Sequence, residues 1–206
     1  SADRFMVVDT LRKQIYDLRS ANCAALLRAL SLSQVHTEFS LQKDWVQELA
    51  QIPALKMSGW YVPPPSGCSI LIGNEPEFER LHYRSLRDPQ SWPQEKFLLR
   101  ESSLIYAYSS PVAGSNFLIG DIGLPLGRKL SDSVRESIRE NLSLTVAAAS
   151  MAEVGMTFQE LNREVALLCK SFGFSNYAYS VTDPQLSNFG HTLPWTYEGR
   201  NDAEQG

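Results

Sequence analysis

The sequence predicts an α+β domain in which helices cover an antiparallel sheet. Apolar residues recur at helical spacing in two separate parts of the chain, and short apolar runs bounded by turn residues lie between them. Of the 206 residues, 43% are apolar and 20% are charged, which is enough apolar material for a sizeable core. We therefore expect residues 1–206 to form a single domain.

Residues 1–58 are predicted to contain two helices. The first covers residues 4–31, where apolar side chains at helical spacing are separated by charged ones. The second follows Ser40, a residue type that commonly caps helix N-termini. Its apolar face is formed by Leu41, Trp45, Val46 and Leu49.

Residues 59–100 are predicted to form a short strand followed by a long loop. A stiff, proline-rich connector precedes the strand, which is the apolar run at residues 69–73. Residues 74–100 are polar and rich in proline and arginine, and they follow neither a helical nor a strand period. Long loops of this kind often carry function.

The core of the domain is predicted in residues 101–195, as a hairpin followed by two helices and a strand. The hairpin joins strands at residues 103–108 and 116–122 through a turn that contains proline and glycine. Ser131 or Asp132 caps the first helix. The side chains expected to face inward from this helix are Val134, Ile138, Leu142, Val146 and Ala149.

A capping box formed by Thr157 and Glu160 opens the second helix of this core. We expect the helix to end near Gly173, because glycine favours the left-handed backbone that terminates helices. A last strand is expected at residues 177–181, and a polar tail at residues 196–206.

Composition argues against several classes of function. A net charge of −4 lacks the basic surface that nucleic-acid binding needs. Three cysteines without a Cys-x-x-Cys pair indicate neither a disulfide framework nor a cysteine zinc site, so we expect reduced thiols in the cytoplasm. No apolar run reaches the ~18 residues of a membrane span, so no membrane partner is expected either.

The order of several short motifs is specific. Residues 155–161 read Gly-Met-Thr-Phe-Gln-Glu-Leu between the two predicted core helices, and Gly-Phe at 173–174 and Gly-His at 190–191 follow. This order resembles that of the pita-bread metallopeptidases, which include methionine aminopeptidase, aminopeptidase P and prolidase. The resemblance covers roughly residues 100–195. It implies a curved antiparallel sheet covered by helices, here without the last strands of that fold.

The resemblance also implies a metal centre. Active members of that family hold two divalent metals with two Asp, one His and two Glu, and a bridging hydroxide attacks the peptide carbonyl. In this chain the implied ligands are Asp121, Asp132 and His191. The implied metal is Mn, Co, Zn or Fe if the site is intact, and there is none if it is not.

Two registers for the aspartates remain open. In the first, Asp121 and Asp132 are the pair, although Asp132 also suits the beginning of a helix, where a cap is worth about 0.5–2 kcal/mol. In the second, Asp121 is the second aspartate of the pair, and the first falls near residues 108–110. Those residues are Tyr-Ser-Ser and carry no carboxylate. The second register fits the predicted strand and helix lengths better.

The two glutamates implied by the resemblance are missing, because they belong well beyond His191 and only 15 residues follow it. Glu198 and Glu204 lie too close to His191, in the polar tail. Either the chain is truncated or the fold is incomplete. His82, followed by Tyr83, resembles the family's His-Tyr segment and is the implied catalytic residue; a loop histidine without a special role is the alternative.

Three functions are compatible with these features. The first is a metal-dependent aminopeptidase or Xaa-Pro peptidase acting on a peptide or small amide. The second is an inactive pita-bread pseudoenzyme that binds a peptide or protein partner. The third, a creatinase-type hydrolase using His191 as acid or base, ranks last because the chain has only three histidines. Homodimerisation is compatible with all three.

Overall fold

A computed structural model describes residues 2–32, 35–56, 64–113, 118 and 120–174. The chain divides into two compact units, Ser1–Leu130 and Ser131–Gly206. Helices and antiparallel strands are both present, which confirms the predicted α+β class. No helix in these described stretches is both long and apolar enough to span a bilayer.

Two helices begin the first unit, α1 (Ala2–Ser31) and α2 (Glu38–Ala50), and both confirm the prediction. The buried residues of α1 lie in its second half, where Ala25, Leu26 and Ala29 are almost fully buried. In α2 the predicted apolar face is correct, because Leu41, Trp45 and Leu49 are completely buried. These faces pack together with the sheet in one hydrophobic core.

The predicted cap of α2 at Ser40 is wrong, because the N-cap residue is Thr37. The Thr37 backbone is extended (φ −98°, ψ 170°), as a capping residue requires, whereas Ser40 already lies inside the helix. Thr37 Oγ1 accepts from the Ser40 amide at 3.0 Å, and Ser40 Oγ accepts from the Thr37 amide at 2.8 Å. The two residues therefore form a reciprocal capping box, in which Thr37 is the N-cap and Ser40 is the third residue of the helix.

The strands of the first unit form two small antiparallel sheets. Their bounds are β1 (Leu55–Lys56), β2 (Cys68–Gly73), β3 (Leu104–Ser109), β4 (Val112–Ala113) and β5 (Ile122–Leu126). The larger sheet has the order β2-β3-β5, and β1 pairs with β4. Strands β2 and β3 confirm the predictions at residues 69–73 and 103–108.

Of the strand predicted at residues 116–122, only Ile122 lies in a described strand, although Leu118 and Gly120 bond to residues 113 and 111 across the predicted turn. The neighbour of β3 is β5, which begins only at Ile122, and residues 116, 117 and 119 lie outside the described part of the chain. Side chains of α1 donate hydrogen bonds to the main-chain carbonyls of Gly120 and Asp121, and the Gly120 amide donates to the Pro111 carbonyl. Those two residues therefore bond to a helix before the chain enters the sheet.

The long loop predicted at residues 74–100 is confirmed, and it is organised around one buried carboxylate. Glu38, at the first turn of α2, is completely buried. It accepts from the Ile72 amide at 2.7 Å, the Gln94 amide at 3.1 Å, and two Arg80 nitrogens at 2.9 and 3.0 Å. Strand β2, through Ile72, and two separate positions of the loop, Arg80 and Gln94, thus all bond to the Glu38 side chain.

The second unit contains α3 (Asp132–Ser150) and α4 (Phe158–Ser171). Ser131 is the N-cap of α3, which agrees with one of the two predicted caps. The predicted inward face is wrong in the second half of the helix: Leu142 is 63% and Val146 60% exposed, whereas Leu144 and Ala148 are buried. In the first half, Val134 and Ile138 are partly buried. Helix α3 carries two apolar stripes, and periodicity alone does not reveal which of them packs on α4.

Both predicted ends of α4 are confirmed. Thr157 and Glu160 form the capping box. Gly173 has a φ of +75°, the Phe174 amide donates to the Cys169 carbonyl, and the Gly173 amide donates to the Lys170 carbonyl. This pattern is a Schellman motif. The strand predicted at residues 177–181 lies outside the described residues.

The capping box makes the beginning of α4 sensitive to acid. Hydrogen bonds from the Thr157 amide and then from its hydroxyl lower the pKa of Glu160. A lowered pKa in the folded state stabilises the helix above the unfolded pKa, and this contribution is lost as pH falls through the folded value. We expect Glu160→Gln to lower the melting temperature above about pH 5 and to have a shrinking effect below it. Melting curves between pH 3 and 7 test this, and a difference that is independent of pH would contradict it.

Candidate functional site

His82, the implied catalytic residue, lies in the long loop at the beginning of a short 3-10 helix, Tyr83–Arg87. Its Nε2 is 3.4 Å from Ser85 Oγ, a long contact for a hydrogen bond. A serine nucleophile must reach its substrate, but Ser85 is only 2% exposed. The His82–Ser85 pair is therefore a contact within the loop and does not form a nucleophilic dyad.

Asp121, an implied metal ligand in both registers, lies immediately before β5 and is bonded to α1. Arg19 Nη2 donates to Asp121 Oδ1 at 3.2 Å, and Arg19 Nε donates to the Asp121 carbonyl at 3.1 Å. The Asp121 side chain is 13% exposed, so its charge is only partly solvated. The guanidinium supplies a positive charge to this carboxylate from within the same chain.

Ser109, the last residue of β3, lies in the segment where the second register places the missing aspartate. Its hydroxyl donates to Asn22 Oδ1 at 2.8 Å, and Asn22 Nδ2 donates to the Gly120 carbonyl at 2.9 Å. Ser109 and Asn22 are both completely buried. A Cβ at Gly120 would lie 3.0 Å from the Leu18 Cβ, so glycine permits the close approach of α1.

These contacts fasten one turn of α1 to the end of β3 and the entry of β5. We call the group the α1 junction; its members are Arg19, Asn22, Ser109, Gly120 and Asp121. Trp45 Nε1 lies 3.4 Å from the Asn22 carbonyl, which connects α2 to the same turn of α1. The junction therefore fixes Asp121 and Ser109 to α1 through hydrogen bonds, and it contains one carboxylate and one cation.

Arg19 and Asn22 were not among the site residues predicted from the sequence. One signal for Asn22 was available: it lies on the same helical face as Leu18, Ala25 and Ala29, and a polar residue on an apolar face usually has a buried partner. No comparable signal marks Arg19, because an arginine on the exposed face of a helix is ordinary. Its partner Asp121 is 102 residues away in the chain.

Asp132 and His191 complete the implied ligand set. Asp132 is the first residue of α3 in the second unit, is 93% exposed, and pairs with Arg135 one turn later. A carboxylate there interacts favourably with the helix dipole. His191 lies outside the described residues. Within the residues that are described, no three His, Cys, Asp or Glu side chains are grouped as metal ligands.

A mostly apolar groove of about 690 Å³ lies beside the junction in the first unit. Helix α1 contributes Leu18 and Ala21 to it, the α2–β1 turn contributes Ile52, and the β4 region contributes Ala113 and Leu118. The polar groups of the groove come from Gln14, Asp17 and Lys56. Its volume is within the range of about 300–1,000 Å³ that is usual for ligand pockets.

Cysteine chemistry is not indicated at the site. Cys68, at the beginning of β2, is completely buried, and burial raises the pKa of its thiol well above the usual range. A thiol in that state is protonated and is a poor nucleophile.

Comparison with known proteins gives no family for this chain. No family model matches it, and no curated protein has a significantly similar sequence. A functional interpretation therefore depends on the residues of the α1 junction and on their contacts.

Proposed function

We propose that this chain is a catalytically inactive protein of the pita-bread type, which binds a peptide or a protein partner instead of cleaving a peptide bond. The observation that supports this proposal most strongly is the bond from Arg19 to Asp121. Because the guanidinium already balances that carboxylate, Asp121 needs no metal ion for charge neutrality.

Charge balance supports the same conclusion for the rest of the junction. Two divalent ions carry four positive charges and need several carboxylates around them. In the segment where the second register places the first aspartate, residues 108–110, the α1 junction contains Ser109, a neutral side chain that already bonds to Asn22. In the second register, the described residues of the implied centre therefore do not fit a pair of divalent metals.

The pita-bread fold and a cytoplasmic location are parts of this proposal. Helices α1 and α2 pack on one antiparallel sheet, and the α3–α4 pair with its Thr157 capping box follows in the expected order. All three cysteines are free thiols, which suits a reducing compartment. A peptide or partner segment could bind in the apolar groove beside the junction without a metal ion.

A metal-dependent aminopeptidase or Xaa-Pro peptidase is the alternative function. It is favoured by the position of Asp121, a carboxylate held by α1 at the entry of a strand. That function requires Asp121 to exchange Arg19 for Mn, Co, Zn or Fe, and it also requires His191 and further carboxylates as ligands.

Peptide cleavage distinguishes the two functions. We expect the purified chain to release no amino acid from alanyl, methionyl or Xaa-Pro peptides with Mn²⁺, Co²⁺, Zn²⁺ or Fe²⁺ present. Product mass spectrometry measures cleavage, and fluorescence anisotropy with labelled members of the same peptide set measures binding. Asp121→Asn is the matched control for cleavage and should likewise release no amino acid. Cleavage that requires metal and disappears in Asp121→Asn would establish the peptidase instead.

A further inference from the structure

We infer that the α1 junction is built for a neutral hydrogen-bond donor at position 109, so that a carboxylate placed there does not recreate a metal site. This inference rests on the proposed function and deepens it, because it names the contacts of Asn22 and Arg19 as the reason why the junction does not suit a metal ion. It rests on three features of the junction: its hydrogen bonds, its burial and its charge.

Only one orientation of the Asn22 side-chain amide satisfies both of its hydrogen bonds, to Gly120 and to Ser109. Its Nδ2 donates to the Gly120 carbonyl, so its Oδ1 faces Ser109 and needs a donor there. The Ser109 hydroxyl is such a donor, whereas an ionised aspartate only accepts. If the Asn22 amide flipped to donate to an aspartate, its oxygen would face the Gly120 carbonyl, and two acceptors would meet. No orientation of Asn22 satisfies both a carboxylate at 109 and Gly120.

Burial prevents water from compensating for a lost partner. Asn22 and Ser109 have no exposed surface, and Gly120 is in close approach to α1 at Leu18. Ser109 is also fixed on both sides in the sheet, opposite Cys68 and Ile122. A buried charge without partners is costly, and the surroundings have little freedom to move toward it.

The nearby positive charge is already engaged. Arg19 directs Nε and Nη2 at the carbonyl and carboxylate of Asp121. A second carboxylate at 109 would therefore find the cation of the junction already paired with Asp121. The charges of Arg19 and Asp121 cancel, so an additional negative charge at position 109 would not be balanced within the junction.

Ser109→Asp and its isosteric neutral partner Ser109→Asn test this inference. An asparagine can donate to Asn22 Oδ1 and an ionised aspartate cannot, so the pair isolates charge from size. At pH 7.5 we expect Ser109→Asp to melt about 10 °C below Ser109→Asn, and Mn²⁺ or Co²⁺ at millimolar concentration to restore none of the difference. Failure of Ser109→Asp to fold while Ser109→Asn folds supports the same conclusion.

Two results would overturn the inference. One is equal melting temperatures for the two variants; the other is calorimetric binding of Mn²⁺ or Co²⁺ by Ser109→Asp, with recovery of its melting temperature. Either result would leave the inactivity of the natural chain standing. Conversely, metal-dependent cleavage by the natural chain would refute the proposed function whatever these variants do, so the two failures are distinguishable.

Discussion

Replacing Glu38 by alanine is expected to destabilise the protein by about 3–5 kcal/mol, the usual cost of removing one partner of a buried ion pair. The substitution removes four hydrogen bonds at once, to the amides of Ile72 and Gln94 and to Arg80. It leaves the Arg80 guanidinium without its carboxylate partner. In the long loop, this guanidinium lies 3.8 Å from the centre of the Phe97 ring. Equilibrium urea unfolding measures the loss.

Glu48→Ala is the matched control for this prediction. Glu48 is on the same helix and also pairs with an arginine, Arg28, but that arginine is 51% exposed, so the pair is worth about 0–1 kcal/mol. Glu38→Ala should also speed amide exchange at Ile72 and Gln94, which lose their acceptor. Equal losses in the two variants would show that the loop is held by other contacts.

The contacts that hold the long loop in place also determine where His82 lies. Residues 74–100 carry His82, and Arg80 is only two positions before it. Arg80 also donates to the Ser91 carbonyl at 3.0 Å, so one guanidinium joins α2 to two parts of the loop. The position of His82 therefore depends on Glu38, a residue at the start of a helix that the sequence gives no reason to single out.

Local signals predicted the helices and several of their ends. The capping box of Thr157 and Glu160 and the terminating Gly173 are determined by residues within one turn of the chain, and both predictions are confirmed. The cap of α2 was predicted at Ser40, but Thr37, three positions earlier, is also of a type that caps helices. Only the extended backbone of Thr37 distinguishes them.

The candidate site depends on contacts between distant residues, and sequence patterns do not encode these directly. Ser109 bonds to Asn22 across 87 residues, and Asp121 bonds to Arg19 across 102 residues. The sequence did indicate that residues 108–110 lack a carboxylate, but it did not reveal what the serine does instead. The resemblance implied positions for the ligands, but it carried no information on the contacts that α1 makes with them.

Trp45→Ala is expected to cost about 3–5 kcal/mol, since it removes the largest side chain that is completely buried in the core of the first unit. The indole lies in the same cluster as Leu26 and Ile70, so its loss leaves a cavity between the helices and the sheet. Trp45 was predicted from the sequence to face inward from α2, and its burial confirms that prediction. Urea unfolding is again the measurement.

Two further variants locate the origin of this loss. Trp45→Phe keeps most of the buried ring and should cost about 1–2 kcal/mol, including the bond from the indole N–H to the Asn22 carbonyl. Tyr16→Ala removes an aromatic side chain that is 71% exposed on α1 and should change stability by less than about 0.5 kcal/mol. Because Trp45 supports the turn of α1 that holds Ser109 and Asp121, Trp45→Ala should also shift the NMR signal of the Asn22 side-chain amide. An unchanged amide signal would show that the α1 junction holds its geometry without α2 behind it.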